Sequence, residues 1–192
     1  MDENCLIQVY KHPLLGSEDL AIIFEAHKKV VFSKGDFLLK EGQVANEYFI
    51  VASGLIRSYV NDYSGNDITI NFFTKNDIVI EVSSLFQRIP SAENIQTLTD
   101  CVCWKINYDV FQNFFHSNEG FREWGRGWLS NSLFKHKQRS VSMITKSSKE
   151  RYLELVKYNP EILLNAPLKY IATFLGITDT SLSRIRKETA KL

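Results

Sequence analysis

The chain has 192 residues, of which 44% are hydrophobic and 23% are charged, and its formal net charge is +1. This length suffices for one large domain or two small ones with a buried core. No segment approaches the roughly 18 apolar residues that a membrane-spanning helix needs. The N-terminal MDENCLIQVY has acids where a signal peptide has basic residues. We therefore expect a cytoplasmic protein with no membrane partner.

The charges divide unevenly along the chain. Residues 1–119 contain 9 Lys and Arg against 16 Asp and Glu, a balance of −7, whereas residues 120–192 contain 14 against 6, a balance of +8. This asymmetry suggests a basic module that meets a polyanion, joined to an acidic module that does not. A solvated basic helix face would give the same balance, so charge alone does not decide between them.

Cysteine and histidine usage gives no sign of a metal site. Cys5, Cys101 and Cys103 lack paired spacing, which favours buried reduced thiols, and Cys101 and Cys103 would share one face of a strand. The histidines form no recognisable ligand pair: they are His12, His27, His116 and His136. The chain also has no phosphate-cradling glycine-rich loop, HExxH or GxSxG motif. We predict no metal, no cofactor, no catalytic residue and no enzymatic activity.

The first two thirds of the chain have the pattern of a β domain. Leu14 to His27 has helical spacing, with Ser17 as the expected N-cap. From Val30 to Trp104, short apolar runs alternate with turn residues that contain Gly or Asn. The runs are VVF, FLLKEG, YFIVASG, LIRSYV, ITINFF, DIVIEV and CVCWKI. Many short strands with no helix between them favour an antiparallel sandwich or roll.

From about Asp109 to Tyr158 the apolar residues recur at helical spacing. Phe121, Trp124 and Trp128 fall at positions i, i+3 and i+7 and form an aromatic stripe. Such a stripe can pack against its own domain or pair with its counterpart in a second subunit. The residues alone leave both alternatives open.

The segment LKYIATFLGITDTSLSRIRKETAKL, residues 168–192, has the pattern of two helices that cross through a tight turn. Ile171 and Leu175 lie one turn apart, and Ala172 is small where the second helix must approach. Gly176 supplies the residue that tolerates positive φ, and Ile177 closes the turn.

Thr178 is the expected N-cap of the second helix, which would begin at Asp179. Leu182 and Ile185 would face inward. The opposite side then presents a polar, basic face that consists of Thr180, Ser183, Arg184 and Lys187. Such a face can enter the major groove of DNA, where Arg bridges guanine O6 and N7. An amphipathic surface helix is the alternative, but the register of the apolar positions argues against it.

Residues 14–192 resemble the cyclic-AMP receptor / fumarate-nitrate reductase regulator (CRP/FNR) family. The most specific part is IATFLGITDTSLSRIRK, and Gly35, Gly42 and Gly54 agree in order and spacing. The resemblance implies an α+β fold of three parts. These are an N-terminal antiparallel, jelly-roll-like β-roll (1–116), a dimerisation helix (117–145) and a C-terminal helix-turn-helix domain (146–192).

The resemblance also implies partners and site residues. We expect a homodimer whose interface contains Phe121, Trp124 and Trp128. Its partner would be a pseudo-palindromic site in double-stranded DNA, and RNA polymerase is a possible further contact. The implied DNA-binding residues are Thr178, Asp179, Thr180, Ser181, Ser183, Arg184 and Lys187. Of the family's base-reading residues only the guanine-directed Arg184 is kept, so the operator should differ. Seven residues follow Ile185, too few for a wing of strands.

In the members of this family that bind cyclic nucleotides, the phosphate pocket reads Gly-Glu and then Pro-Arg-Ser/Thr-Ala. In IEVSSLFQRIPSAENI, Glu81 and Ser83 match, whereas Ser91 replaces the arginine and Ala92 the hydroxyl. The missing arginine removes a charge-assisted interaction of about 1.5 to 3 kcal/mol. We therefore predict a degenerate pocket and an unknown small-molecule effector other than cyclic AMP. Arg88 is either a substitute cation or an exposed turn residue.

Other functions stay open. The protein could be a cyclic-nucleotide-responsive regulator, or a ligand-binding module that does not bind DNA. An iron-sulfur sensor fits poorly because Cys5 is the only cysteine near the N-terminus. His12, His27 or His116 could each ligate haem, but no spacing supports it.

Overall fold

The computed structural model describes residues 4–189. Two short helices, α1 (Asn4–Val9) and α2 (Ser17–Glu25), precede the strands. The strands are β1 (Lys28–Phe32), β2 (Phe37–Leu39), β3 (Glu47–Ser53), β4 (Ile56–Asn61), β5 (Asp67–Phe73), β6 (Ile78–Val79), β7 (Asn94–Thr97) and β8 (Cys101–Asn107). A short helix, α3 (Val82–Gln87), lies between β6 and β7. The ends of the predicted first and third domains, 1–3 and 190–192, lie outside the described residues.

The strands form two antiparallel sheets. The first sheet has the order β1-β8-β3-β6, and the second sheet has the order β2-β7-β4-β5. Their inner faces enclose one apolar core in which Ile50, Ile56 and Leu85 have no exposed surface. The α+β class and the antiparallel sheets of the sequence prediction are therefore confirmed.

Helices make up the rest of the chain. They are α4 (Tyr108–Ser117), α5 (Glu119–Thr145), α6 (Ser148–Tyr158), α7 (Pro160–Asn165), α8 (Leu168–Phe174) and α9 (Asp179–Thr189). Side-chain caps mark where two of them begin, since each supplies an acceptor to an otherwise unpaired amide. Asn118 Oδ1 accepts from Phe121 N at 2.8 Å at the start of α5, and Ser147 with Glu150 forms a capping box on α6.

The structure corrects the predicted elements in two places. The N-cap of α2 is Gly16, not Ser17, and the Asp19 carboxylate accepts from Gly16 N at 2.9 Å. The run DIVIEV forms a strand only at Ile78–Val79. Its end is set by Glu81, whose carboxylate accepts from the first amides of α3 and so starts a helix there. The sequence patterns did not predict α1, α3 or β7.

The three cysteines lie in the interior. Cys101 and Cys103 are both on β8, 1% and 0% exposed, so the predicted shared, buried face is confirmed. Burial raises the pKa of Cys101, and it raises the pKa of Cys103 to about 12. Both thiols are therefore uncharged at neutral pH.

Residues 4–189 contain neither a membrane-spanning helix nor a cluster of metal ligands. No helix in that range is long and apolar enough to cross a membrane. No group of three or more His, Cys, Asp or Glu side chains in it is arranged to hold a metal ion.

Candidate nucleic-acid interface and ligand cavity

The turn between α8 and α9 has the geometry that its sequence predicts. Gly176 has φ +66°, and a Cβ there would lie 2.5 Å from Met143 Cε. Gly176 N and Ile177 N donate to the carbonyls of Thr173 and Ala172 at 3.0 Å each. A residue with left-handed backbone, followed by amides that donate to the carbonyls of the last helical turn, ends α8 abruptly. The chain is thereby redirected into α9 within a few residues.

The register of α9 also agrees with the prediction. Thr178 Oγ1 accepts from Ser181 N at 3.2 Å, so Thr178 is the N-cap. Leu182 and Ile185 are 0% and 5% exposed. They pack in a second apolar cluster with Ile171 of α8 and with residues of α6 and α7. The inward face of α9 is therefore fixed.

The opposite side of α9 carries the predicted DNA-binding residues. Ser181 is half-buried, and the others are exposed: Thr178, Asp179, Thr180, Ser183, Arg184 and Lys187. The fold brings these seven side chains together at the N-terminal part of one helix and along its outer face. A protruding helix with polar and basic side chains has the shape and chemistry to enter a major groove.

Two arginines that the sequence analysis did not single out hold the end of α8. Arg139 of α5 donates to Phe174 O at 2.9 Å and lies 4.2 Å from the centre of the Phe174 ring. Burial lowers the pKa of Arg139. Arg151 of α6 donates to Leu175 O at 2.8 Å. Cations at the carbonyl end of a helix offset its partial negative charge, so both arginines secure the position of α8.

A cavity of 460 Å³ lies within the roll, between β2, the loop before β3, β6 and β7. Eight of its lining residues have apolar side chains: Leu38, Leu39, Val44, Ala45, Phe49, Val79, Ile80 and Ile95. The polar lining consists of Gln43, Asn46, Glu47 and Glu81. Its size is in the range of small-molecule sites.

The two charged side chains of residues 4–189 that line this cavity are Glu47 and Glu81. Glu47 forms an ion pair with Lys105 Nζ at 2.7 Å, and the Glu81 carboxylate caps α3. Burial raises the pKa of the neighbouring Glu93, and the nearby charge of Glu81 raises it further, against a hydrogen bond from Ser58 that lowers it. Among the described residues that line the cavity, none is Lys or Arg. A phosphate placed here would meet the Glu81 carboxylate, whereas the cations Lys105 and Arg88 contact lining residues from outside the cavity.

The five residues predicted for the effector pocket do not converge. Glu81 lines the cavity, whereas Ser83 and Ala92 are exposed. Ser91 is buried, but its hydroxyl donates to the Glu93 carbonyl at 2.8 Å. The Arg88 guanidinium donates to Ala45 O and Asn46 Oδ1 and lies 4.3 Å from the centre of the Tyr108 ring. Arg88 is thus not among the lining residues but contacts two of them, and its role as a substitute cation stays a prediction.

The predicted dimer interface needs a larger correction. Phe121 is 0% exposed and Trp124 is 7% exposed within the single chain. Both pack on Tyr10, and Trp124 Nε1 donates to Val9 O at 2.7 Å. These rings belong to the core of their own roll and are not accessible to a second subunit. Trp128 is half-buried against the same core, so its place in an interface stays a prediction.

Apolar side chains do reach solvent further along α5. Leu133 is 72% exposed, Phe134 58%, Val141 48% and Ile144 86%. At 100° per residue they fall within about 100° of the helix circumference. An apolar stripe on a protruding helix is typical of an interface.

The structure also decides the environment of His27. Its Nδ1 donates to Ile23 O at 2.7 Å, so Nε2 accepts from the Tyr10 hydroxyl at 3.0 Å. Tyr48 then donates to Tyr10 at 2.5 Å. Burial lowers the pKa of His27 to about 4. Both ring nitrogens are in use, so His27 does not fit the haem alternative.

With this geometry in view, comparisons with known proteins identify the fold. Residues 29–118 match the family model of the cyclic nucleotide-binding domain. The cGMP-dependent protein kinase of Plasmodium berghei (strain Anka) is 23% identical over 109 residues, which are 57% of this chain and 12% of the kinase. The chain therefore spans only a small part of that relative.

Two solved structures resemble most of the chain. FixK2 from Bradyrhizobium japonicum has a TM-score of 0.75 at 14% identity, with 86% of this chain and 85% of FixK2 covered. A transcriptional regulator assigned to the crp/fnr family, from Eubacterium rectale ATCC 33656, has a TM-score of 0.72 at 17% identity, with 95% and 88% covered. The chain thus matches a cyclic nucleotide-binding domain in its roll, and its overall fold is similar to that of these two proteins.

Proposed function

We propose that the protein is a sequence-specific DNA-binding transcription regulator that acts as a homodimer and is not an enzyme. The observation that carries this proposal is α9, whose apolar side is buried and whose polar, basic side is exposed beside a tight turn. In this proposal α8 and α9 form a helix-turn-helix, and α9 is its recognition helix.

In this proposal some residues of α9 contact bases and others contact phosphates. Arg184 reads guanine in the major groove, and Thr180 contacts the neighbouring base edge. Ser181 and the N-terminal amides of α9 contact phosphate, as does Lys187. Asp179, a carboxylate at the start of the helix, disfavours phosphate and can accept from the amino group of cytosine.

A dimer supplies the second recognition helix. One helix-turn-helix contacts too few base pairs to select a site in a genome, so two copies in fixed geometry are needed. We place the interface on the exposed apolar stripe of α5, at Phe134, Val141 and Ile144. Twofold pairing there would hold the recognition helices about 34 Å apart, one turn of DNA. Action on DNA and a contact with RNA polymerase would both take place in the cytoplasm.

The effector that we propose is a small molecule without a phosphate group, bound in the 460 Å³ cavity. The two lining glutamates, and the absence of Lys and Arg among the described lining residues, favour an uncharged or cationic ligand over a cyclic nucleotide. The match of residues 29–118 to the cyclic nucleotide-binding domain supports the second candidate, a cyclic-nucleotide-responsive regulator. Saturable one-to-one binding of cyclic AMP or cyclic GMP in calorimetry would favour that candidate.

The test of DNA binding begins with selection of an operator from random duplexes and compares two substitutions on α9. Arg184→Ala should weaken operator binding by about 1 to 3 kcal/mol and relax the preference at one base pair of each half-site. Lys187→Ala should weaken binding to all sequences alike and make the salt dependence shallower. Failure of the wild type to select any duplex would contradict the proposal, and so would an unchanged base preference in Arg184→Ala.

A further inference from the structure

We infer that Arg57 is a positioning residue for DNA recognition: it clasps α8 against the roll and so sets the orientation of the α8–α9 pair. This inference rests on the proposed function for its effect on DNA, but the clasp itself is a feature of the structure. We call Arg57 with Tyr59, Tyr170 and Asp67 the Arg57 clasp.

The guanidinium lies between two aromatic rings from different parts of the chain. Its central carbon is 3.4 Å from the centre of the Tyr170 ring on α8 and 4.1 Å from that of Tyr59 on β4. One terminal nitrogen forms an ion pair with Asp67 Oδ2 at 2.8 Å, and the other donates to Thr69 Oγ1 at 3.3 Å. Arg57 is 1% exposed, so the cation-π contacts are desolvated and accordingly strong.

The register of the second sheet explains why Arg57 faces α8. Arg57 pairs with Phe72 on β5 and with Gln96 on β7, and paired residues point to the same side of a sheet. That side is the outer one, because the adjacent Ile56 lies in the inner core. Arg57, the second residue of β4, therefore points out of the roll.

The surface of α8 that meets the sheet is a single helical face. Tyr170 contacts Arg57, Thr173 Oγ1 accepts from Thr69 N at 3.2 Å, and the Phe174 ring lies 5.1 Å from that of Phe72. Positions 170, 173 and 174 are i, i+3 and i+4, so they lie side by side. One helix thus contacts the outer face of the second sheet at three successive points.

The packing of α8 on the other helices uses a different set of its side chains. Ile171, Ala172 and Leu175 are buried in an apolar cluster with residues of α6, α7 and α9, and this cluster continues to Leu55, Phe72 and Leu98 of the roll. Burial of a charged guanidinium is costly, and apolar residues of similar volume usually stabilise a fold as well or better. Because a guanidinium is planar and stacks on aromatic faces, its contacts with two rings fix the orientation of those rings as well as their distance. This choice of residue fits a role in orientation.

The docked position leaves the DNA-binding face free. With α8 held on the sheet, Thr180, Arg184 and Lys187 stay exposed. The recognition helix is therefore presented to DNA in one orientation relative to the roll, and through α5 relative to its twofold mate. A unit that is already ordered loses less entropy on binding, which raises affinity.

The test uses the full chain and two substitutions of Tyr170. Tyr170→Phe keeps the ring and should bind the operator within twofold of the wild type. Tyr170→Leu removes the ring, and we expect operator affinity to fall about tenfold, because the α8–α9 pair would then hold the binding orientation for only about a tenth of the time. Tyr158→Leu is the matched control, because Tyr158 is 66% exposed on α6 of the same unit. It should bind like the wild type.

Two readouts separate positioning from stability. Thermal unfolding should shift by only a few degrees in Tyr170→Leu, and affinity for unrelated DNA should stay within twofold. Arg57→Met should lose the same factor in operator affinity as Tyr170→Leu, and the double variant should lose no more. Wild-type affinity in Tyr170→Leu would overturn the inference. So would a loss that parallels the loss of thermal stability, or a loss of equal size in Tyr158→Leu.

A distance measurement tests the clasp without DNA. Spin labels at Tyr63, which is fully exposed on the β4–β5 hairpin, and at Glu188, which is exposed on α9, report the position of α9 on the roll. The distance distribution should be narrow in the wild type and in Tyr170→Phe, and broad in Tyr170→Leu. An equally narrow distribution in Tyr170→Leu would refute the clasp, whereas failure of DNA binding alone would refute the proposed function.

Discussion

The two halves of α5 have similar apolar content in the sequence but different surroundings in the structure. In the first half, Phe121 and Trp124 are 0% and 7% exposed in the core of the roll. In the second half, Phe134 and Ile144 are 58% and 86% exposed. The helix therefore leaves its own domain at about its midpoint, and its apolar side chains are buried in the first half and exposed in the second.

Glycines allow the first half of α5 to lie close to neighbouring segments of its own domain. A Cβ on Gly120 would lie 2.2 Å from Leu14 O, and one on Gly125 would lie 2.7 Å from Phe115 Cε2. Only glycine permits such distances between a helix and its neighbours. The second half has no glycine, and its side chains project away from the roll. In this helix, Gly120 and Gly125 mark the part that lies against its own domain.

The strongest test of this comparison is truncation of one ring in each half. Phe121→Ala should lower the free energy of unfolding by about 3 to 5 kcal/mol, because it empties a fully buried site. Phe134→Ala, the same change in the exposed half, should lower it by at most about 0.5 kcal/mol in the monomer. Denaturant titration measured at low protein concentration would show this. Equal losses from the two substitutions would contradict the division of α5.

The next test concerns the dimer. Phe134→Glu combined with Ile144→Glu should weaken dimerisation about a hundredfold or more, because each subunit would bury two charges in the interface. The melting of the roll should not change. Lys135→Glu, about 150° around the same helix from the centre of the stripe, is the control and should still dimerise. Sedimentation across a concentration series measures the dimerisation of the double variant and of the control. An unaltered dimer in the double variant would show that the interface does not lie on this stripe.

The effect that is smallest near neutral pH is the pH dependence of the stability of the cluster around Phe121. The pKa of His27, which contacts Tyr10 in the same cluster as Phe121, is lowered by burial from its ordinary 6.5 to about 4. The unfolded chain therefore binds the extra proton first, and stability is lost as pH falls from 6.5 towards 4, by at most about 1.4 kcal/mol per pH unit. His27→Gln should flatten this dependence, whereas His136→Gln, exposed in the second half, should not. Parallel curves for all three proteins would show that His27 does not contribute.

The sequence by itself determined the local features of this protein. The strand runs, the positive φ at Gly176, the cap at Thr178 and the inward pair Leu182 and Ile185 all depend on neighbours within a few residues. Backbone sterics, capping and periodicity determine such features, and all three can be recognised from a few neighbouring residues in the sequence. The basic face of the candidate interface followed from them.

Tertiary structure decided what depends on contacts distant in sequence. The periodicity of Phe121 and Trp124 shows that one side of α5 is apolar, but only the approach of Tyr10 and Val9 decides what buries it. Arg57 could be seen in the run LIRSYV, yet its partner Tyr170 lies 113 positions further along the chain. Burial and pairing of this kind depend on which surfaces meet when sheets and helices pack, and no local pattern encodes that choice.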